Sequence, residues 1–311
     1  MEKELLFLEP VFKQMIWGGS RLREVFGYDI PGDDTGECWA ISAHPSGDGK
    51  IANGTYAGWY LSDLWKEEKQ LFGYAEGEEF PLLVKLIDAK ADLSIQVHPD
   101  DVYARAHENG ASGKQECWYI VDCDEDATIV IGHHAKTKEE LRDMVEGKRW
   151  SELIREITIK KGDFFQIEPG TLHAIKAGTM ILETQQNSDI TYRVYDYDRL
   201  ENGKPRQLHK KKSLEVITCP YKDSYTRQPM EHFKDYEREI LIRGSLYQVE
   251  HILVKGTARF EEETPFALVS VLDGEGMIND VPLKKGQHFI IPAGYGAYEM
   301  KGKMEIIKSK V

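Results

Sequence analysis

Short segments rich in Val, Ile, Phe and Tyr recur along this chain, each closed by Gly, Pro, Asn or Asp, and no other feature constrains the fold as much. They lie at residues 37–43, 82–88, 93–98, 116–123, 128–132, 163–168, 180–185 and 191–195. Many short strands with turn signals between them argue for a β-sandwich or barrel. Helical patterns are few. Residues 100–108 follow Pro99, with Asp100 placed to cap them. Residues 137–146 open as T-K-E-E, a capping-box pattern. Residues 60–71 and 150–155 also read as helical.

One stretch occurs twice. Residues 161–173 read KGDFFQIEPGTLH and residues 285–297 read KGQHFIIPAGYGA. Both are a Lys-Gly turn, an apolar strand, then a Pro and Gly bend. Two copies of one β-module place a second, smaller barrel near residues 240–311, after the polar, linker-like residues 227–238. The expected division is a first domain over residues 1–235, with small helical insertions and the functional site, and a second β domain over 236–311. Where the first copy ends in His173 the second has Ala297, so the second domain is expected to hold no metal and to serve a structural role.

Gln96 and His98 sit two apart in SIQVHPDD, which on a strand puts both side chains on one face. Pro99 then ends the strand. In ECWYIVD, Glu116 shares a face with Trp118 and Ile120, which aims it at the interior. His173 follows the Pro169-Gly170 bend and begins another strand. Two imidazoles, a carboxylate and an amide oxygen suit Zn²⁺, and would also admit Mn²⁺, Fe²⁺ or Co²⁺. A lone strand histidine is usually structural; three such groups on inward faces reverse that expectation. His133 and His134 are adjacent, so they point to opposite faces and read as loop or surface residues. His44, His107, His209, His232, His251 and His288 lack a clustered partner.

At 311 residues the chain has room for one large or two modest domains. No apolar run of about 18 residues could span a bilayer. The start, MEKELLFLEPVF, lacks the basic and long apolar regions of a signal peptide. A cytoplasmic protein with no membrane partner is expected. The net charge is −13, and no Lys/Arg block interleaved with aromatics occurs, so nucleic acid is not an expected partner. A few local cations would still suffice for a small anion. Cys38, Cys117, Cys123 and Cys219 are scattered, which fits reduced thiols better than a disulfide framework or a Cys-type zinc site.

Gly162, Pro169, Gly170 and His173 resemble the second motif of the cupin superfamily, whose small jelly-roll barrels hold metal inside. The first cupin motif is altered: Gln96-x-His98 stands where His-x-His is common, and Glu116 lies farther on, beyond a helix and the loop NGASGK. That variation resembles the type I phosphomannose isomerases. MIWGGSRL, PLLVKLIDAKADLSIQVHPDD, GKQECWYIVD, and ILETQQNSDITYRVYDYDR followed by PRQLHK all match the family. The match runs through nearly all of residues 10–215 and covers the C-terminal region more weakly. The last long motif is specific to the short bacterial branch. No nucleotidyltransferase-like domain accompanies it, so the bifunctional form is not implied.

The resemblance implies a mainly β chain of two cupin-type jelly-roll barrels with a few short helices inserted. It implies interconversion of mannose 6-phosphate and fructose 6-phosphate, with a small sugar phosphate as partner, one Zn²⁺ per chain, and a monomer or homodimer. Carried over residue by residue, His98, Glu116 and His173 match the zinc ligands and Gln96 the glutamine beside them. Arg193 matches the catalytic arginine. Ser94, Lys85, Lys114 and Glu183 fall where the family lines its substrate pocket. Gln115 departs from the frequent Thr or Ser, but strand alternation aims it away from the metal.

Aldose–ketose isomerisation moves a proton between C1 and C2 through a cis-enediol. It needs a base, a group that stabilises charge on oxygen, and an anchor for phosphate. Zinc can act as a Lewis acid on the substrate oxygens. Arg193, a permanent planar cation, suits either the enediolate or bidentate phosphate binding, and on TYRVY it shares parity with Thr191 and Tyr195. Lys85 interrupts the apolar run LLVKLI, as expected beside a polar cavity. Lys114 and Ser94 have the parity of the metal residues and could help collect phosphate. Glu183 is a candidate base, with a zinc-bound water as the alternative. Tyr192, Tyr195 and Tyr197 read as packing groups. Two other functions fit the same residues: a cupin that binds a sugar phosphate without turnover, and another metal-dependent cupin enzyme such as an oxygenase.

Overall fold

The computed structural model describes residues 4–223, 228–261 and 265–311. The apolar segments pair into antiparallel sheets, because a short strand satisfies its backbone polar groups only by finding neighbours. The first sheet has six strands in the order Phe164–Ile167, Glu116–Cys123, Thr179–Gln186, Leu82–Ala89, Thr35–Ile41 and Val11–Gly19. A five-stranded sheet faces it, in the order Tyr192–Tyr195, Ile95–Val97, His173–Ile175, Thr128–His133 and Ile154–Thr158.

Trp17, Ile87, Trp118 and Ile181 from the first sheet pack with Ile129, Ile131 and Ile175 from the second, closing a sandwich. Its five-stranded outer face is covered by the helices Lys138–Glu146 and Lys210–Val216, through Leu141, Val145 and their neighbours. The six-stranded outer face carries Cys117, Tyr119, Val121 and Leu182, which pack against Leu241, Val249 and Leu268 of a third sheet. Leu82–Ala89 and Thr179–Gln186 are therefore buried at every position. A Lys or Glu within them must face a partner or a cavity.

The third, ten-stranded sheet is built mostly from residues after 230. It runs from Glu231–His232 through Tyr236–Arg243, Gln248–Val254, Ala297–Lys310 and Ala267–Ile278 to His288–Ile291. Its inner face holds Val254, Val269, Phe289, Met300 and Ile306. The N-terminal strand Leu6–Glu9 joins it, with Leu6 opposite Ile290 and Phe7 opposite Phe289. A pairing of such sequence separation leaves no local trace in the pattern of either segment. The 227–238 stretch, expected as a linker, is partly sheet: Glu231 pairs with Arg238 and His232 with Glu237. Arg227 lies outside the described residues.

The duplicated stretch has one geometry in both copies. Gly162 and Gly286 take φ of 85° and 83°, a left-handed turn that favours glycine. Phe164–Ile167 and His288–Ile291 follow at matching positions. His173 opens the strand His173–Ile175, and Ala297 opens Ala297–Lys310.

Two helix starts follow from their caps. Asp100 accepts the Tyr103 amide at 2.8 Å before the helix Asp101–His107. Thr137 Oγ1 accepts the Glu140 amide at 3.1 Å, while the Glu140 carboxylate accepts the Lys136 amide at 2.6 Å. Residues 60–71 divide into Leu61–Glu67 and the 3₁₀ turn Lys69–Phe72. Two expectations change. His133 is a buried strand residue with its Nε2 2.9 Å from the Thr218 carbonyl, because the strand runs on through it; His134 is exposed. A register shift between Arg193 and Tyr195 sets Tyr195 opposite Ile95, stacked on Trp150 at 4.6 Å, so it does not share the Arg193 face. Among the described residues no helix is long and apolar enough to cross a membrane.

Candidate metal centre

Glu116 opens its strand in the six-stranded sheet, and His173 opens one in the five-stranded sheet opposite. His98 stands just past Ile95–Val97, held by the Gly170 amide, which donates to the His98 carbonyl at 2.9 Å. The fold thus delivers one ligand atom from each to a single point: potential donors of the three lie within 4.8 Å of one another. Among the described residues it is the one such cluster of three.

The two imidazole Nε2 atoms face each other at 3.1 Å. His98 Nε2 is 3.4 Å from Glu116 Oε2 and His173 Nε2 is 3.5 Å from Glu116 Oε1. Each ring turns Nδ1 to a backbone carbonyl, His98 to Ile190 and His173 to Thr171, both at 2.8 Å. A carbonyl only accepts, so both Nδ1 atoms carry the proton and both Nε2 atoms present lone pairs. Two lone pairs at that separation repel unless a cation lies between them. Glu116 is fully buried, and its Oε1 has no hydrogen-bond partner. This donor set fits a metal ion.

Electrostatics agree with that fit. Burial, then the nearby Lys114 ammonium, drives His98 down to about 3, and burial also lowers His173. Burial alone would raise Glu116, but the Lys114 ammonium, which donates to its Oε2, holds it well below the usual carboxylate range. Neutral imidazoles and an ionised carboxylate are the forms a metal requires. Gln96 has its amide nitrogen 3.3 Å from His173 Nε2 and its oxygen 3.3 Å from Ser94 Oγ. Turning the amide over exchanges the two atoms, and would aim the oxygen at the cluster.

Beside the cluster lies a cavity of about 290 Å³. Gln96 and Lys114, which touch the cluster, line this cavity together with Ser94, Lys85, Glu183 and Arg193. Two cross-strand rows explain the arrangement. Trp39, Lys85, Glu183 and Trp118 are successive partners across four strands. On the facing sheet His173, Gln96 and Arg193 are successive partners across three.

Lys85 Nζ lies 3.5 Å from Glu37 and 3.7 Å from Glu183, and 4.8 Å from the Trp39 ring centre. Burial lowers its affinity for a proton, but Glu37 and Glu183 more than offset this, and the net shift is upward. Glu183 is raised to about 7, by burial first and the charge of Glu116 next. Trp118 donates its indole N–H to Glu183 at 3.1 Å, and Lys114 Nζ is 3.7 Å away. Arg193 makes no ion pair among the described residues, and its Nε is buried without a partner.

The cavity wall also holds Lys13, Glu37, Trp39, Asp189 and Arg206, which the sequence patterns did not single out. Glu37 and Trp39 alternate on one strand, a usable sign. Asp189 and Arg206 lie in loops, where no period marks direction.

Residues 5–116 match the model for the phosphomannose isomerase type I catalytic domain, and residues 241–311 that for the mannose-6-phosphate isomerase cupin domain. The mannose-6-phosphate isomerase ManA of Bacillus subtilis (strain 168) is 49% identical over 314 residues, covering 99% of each chain. The mannose-6-phosphate isomerase of Streptococcus mutans is 45% identical over 311 residues, covering 98% of each. The crystal structure of the mannose 6-phosphate isomerase from Bacillus subtilis is similar with a TM-score of 0.98 at 48% identity, over 99% of this chain and 100% of that one.

Proposed function

As this chain belongs to the type I phosphomannose isomerases and is a mannose-6-phosphate isomerase, we propose that it works with one Zn²⁺ held by His98, Glu116 and His173, with Gln96 beside them, and that substrate passes through a cis-enediol. The observation that carries this is the pair of Nε2 lone pairs 3.1 Å apart, next to a buried carboxylate and a cavity lined with cations. When bound, zinc supplies Lewis-acid stabilisation of the substrate's carbonyl and hydroxyl oxygens.

The chain's own groups do the rest. Glu183, with its affinity for a proton tuned to about 7, is the base we assign: it can take the proton from one carbon and return it to the other. Lys114 and Lys85 hold Glu183 in place and present N–H donors to the substrate hydroxyls. Ser94 orients Gln96. Arg193, beside Gln96 in register and without an ion pair among the described residues, opposes negative charge that develops on the reacting oxygens.

We also infer that residues 1–235 carry this chemistry. Residues 236–311 then form a metal-free domain, with Ala297 at the place of His173. A cytoplasmic location accords with the four free cysteines.

Protein stripped by a chelator and reloaded with one zinc per chain should recover conversion of mannose 6-phosphate to fructose 6-phosphate. Full activity in the stripped protein would sink the zinc assignment. In deuterated water the product should acquire deuterium at C1, whereas complete retention of the transferred hydrogen at high conversion would count against the enediol.

A further inference from the structure

The PRQLHK segment carries Arg206 into the same cavity wall as Arg193, although it follows a separate hairpin made by Leu200–Glu201 and Lys204–Pro205. Its side chain is only 8% exposed. Asp196, itself 4% exposed, lies 3.3 Å from Arg206 Nη1 and 2.5 Å from Arg199 Nη2. Glu201 is a weaker partner, half-exposed and 4.0 Å from Arg206 Nε. Arg193 adds a third guanidinium with no carboxylate of its own. Arg193, Arg199 and Arg206 thus stand against Asp196, which pairs with two of them, and the weaker Glu201, so one positive charge is in excess among these five groups.

The like charges are close enough to matter: after burial itself, the charge of Arg206 is what most lowers the proton affinity of Arg193. Such an arrangement is costly in the free protein and is relieved by an anion. Of the cavity lysines, Lys85 and Lys114 are already spread over Glu37, Glu116 and Glu183, and Lys13 donates to the Ser46 carbonyl.

We propose that Arg206 is the specificity-determining residue that receives the phosphoryl group of the substrate, with Asp196 holding its guanidinium toward the cavity. This rests on the isomerase reading above only for the identity of the anion. A planar fork of N–H donors fixed from behind by a carboxylate suits two phosphoryl oxygens at once. Phosphate is retained through the reaction, so Arg206 contributes equally to ground and transition states. Its removal should therefore appear in KM rather than kcat.

Three zinc-loaded proteins test this: wild type, Arg206→Gln and Arg206→Lys. Each is measured for kcat and KM on mannose 6-phosphate and for inorganic phosphate binding by calorimetry, with thermal unfolding as the check on folding. Arg206→Gln should raise KM and the phosphate Kd by roughly 10- to 100-fold, the loss of charged hydrogen bonds, with kcat changed far less. Arg206→Lys, which keeps the charge but not the fork, should fall between. Values of KM and Kd within twofold of wild type in a folded Arg206→Gln protein would overturn the proposal. So would a fall in kcat at constant KM, or failure of the wild type to bind phosphate. If wild type binds phosphate through Arg206 yet does not turn over mannose 6-phosphate, the isomerase reading fails and the assignment of Arg206 stands.

Discussion

Trp118 donates its indole N–H to Glu183 at 3.1 Å and sets the same ring edge-on to His173, with centroids 5.5 Å apart. One buried side chain therefore positions both the proposed base and a proposed metal ligand. The two sites that the chemistry needs are coupled by packing, as well as by charge.

Glu183 has to be ionised to accept a proton. With its pKa raised to about 7, kcat/KM should climb as pH rises through that value and level off above it. Glu183→Gln should lower kcat by roughly 10²- to 10⁴-fold, the usual worth of a general base, while metal content stays at the wild-type level. A pH–rate profile and a metal assay on the variant check both; a variant with near wild-type turnover would remove Glu183 from this role.

His173→Ala removes one of the facing Nε2 lone pairs. The variant should fold but lose stoichiometric metal. Zinc at about 100 times its Kd should stabilise the stripped wild type by about 2.7 kcal/mol and the variant by much less. Unfolding curves with and without zinc measure the difference independently of turnover. Equal stabilisation of both proteins would refute the ligand assignment.

Gly170 has a φ of 84°, and a Cβ there would lie 2.5 Å from Thr218 Oγ1 and 2.8 Å from the Val216 carbonyl. Gly170→Ala should cost roughly 1–3 kcal/mol through backbone strain and the clash. Because the Gly170 amide also holds the His98 carbonyl, zinc affinity should fall with stability. Denaturant titration and metal binding on one preparation test the link. Weakened stability with wild-type zinc affinity would break it.

His288 is buried between the sheets, with Ser270 Oγ 2.9 Å from Nδ1 and Tyr28 Oη 2.8 Å from Nε2, and burial lowers it to about 3. The unfolded chain binds a proton near pH 6.5 and the native protein does not. The stabilisation is therefore fully present above pH 6.5 and is lost as pH falls toward 3. From pH 7 to pH 5 this residue should account for a loss of about 2 kcal/mol. His288→Gln should flatten that part of the stability profile; an unchanged slope would show that other groups govern it.

Much of the first sheet was legible. The strand Glu116–Cys123 runs over its expected residues, and Leu82–Ala89 and Thr179–Gln186 differ at their ends alone. Such strands are buried on both faces, so their composition is distinctive. Arg21–Phe26 and Lys210–Val216 were not legible, since six or seven residues are too few to show a helical period. Tyr195 was misplaced by a bulge, which breaks the alternation that parity arguments assume.

What the sequence determined by itself is local: which segments are strands, which bends need glycine, and that His98 and His173 each border a turn. Spacing of two along a strand sets a shared face, and a left-handed bend excludes most side chains; neither depends on distant residues. Only the tertiary structure decided which neighbours meet. The pairing of Leu6–Glu9 with His288–Ile291, the rows that align Lys85 with Glu183 and Gln96 with Arg193, and the sharing of Asp196 by Arg199 and Arg206 are products of sheet register and loop packing. These are settled by burying apolar surface across the whole chain. No short window contains that information.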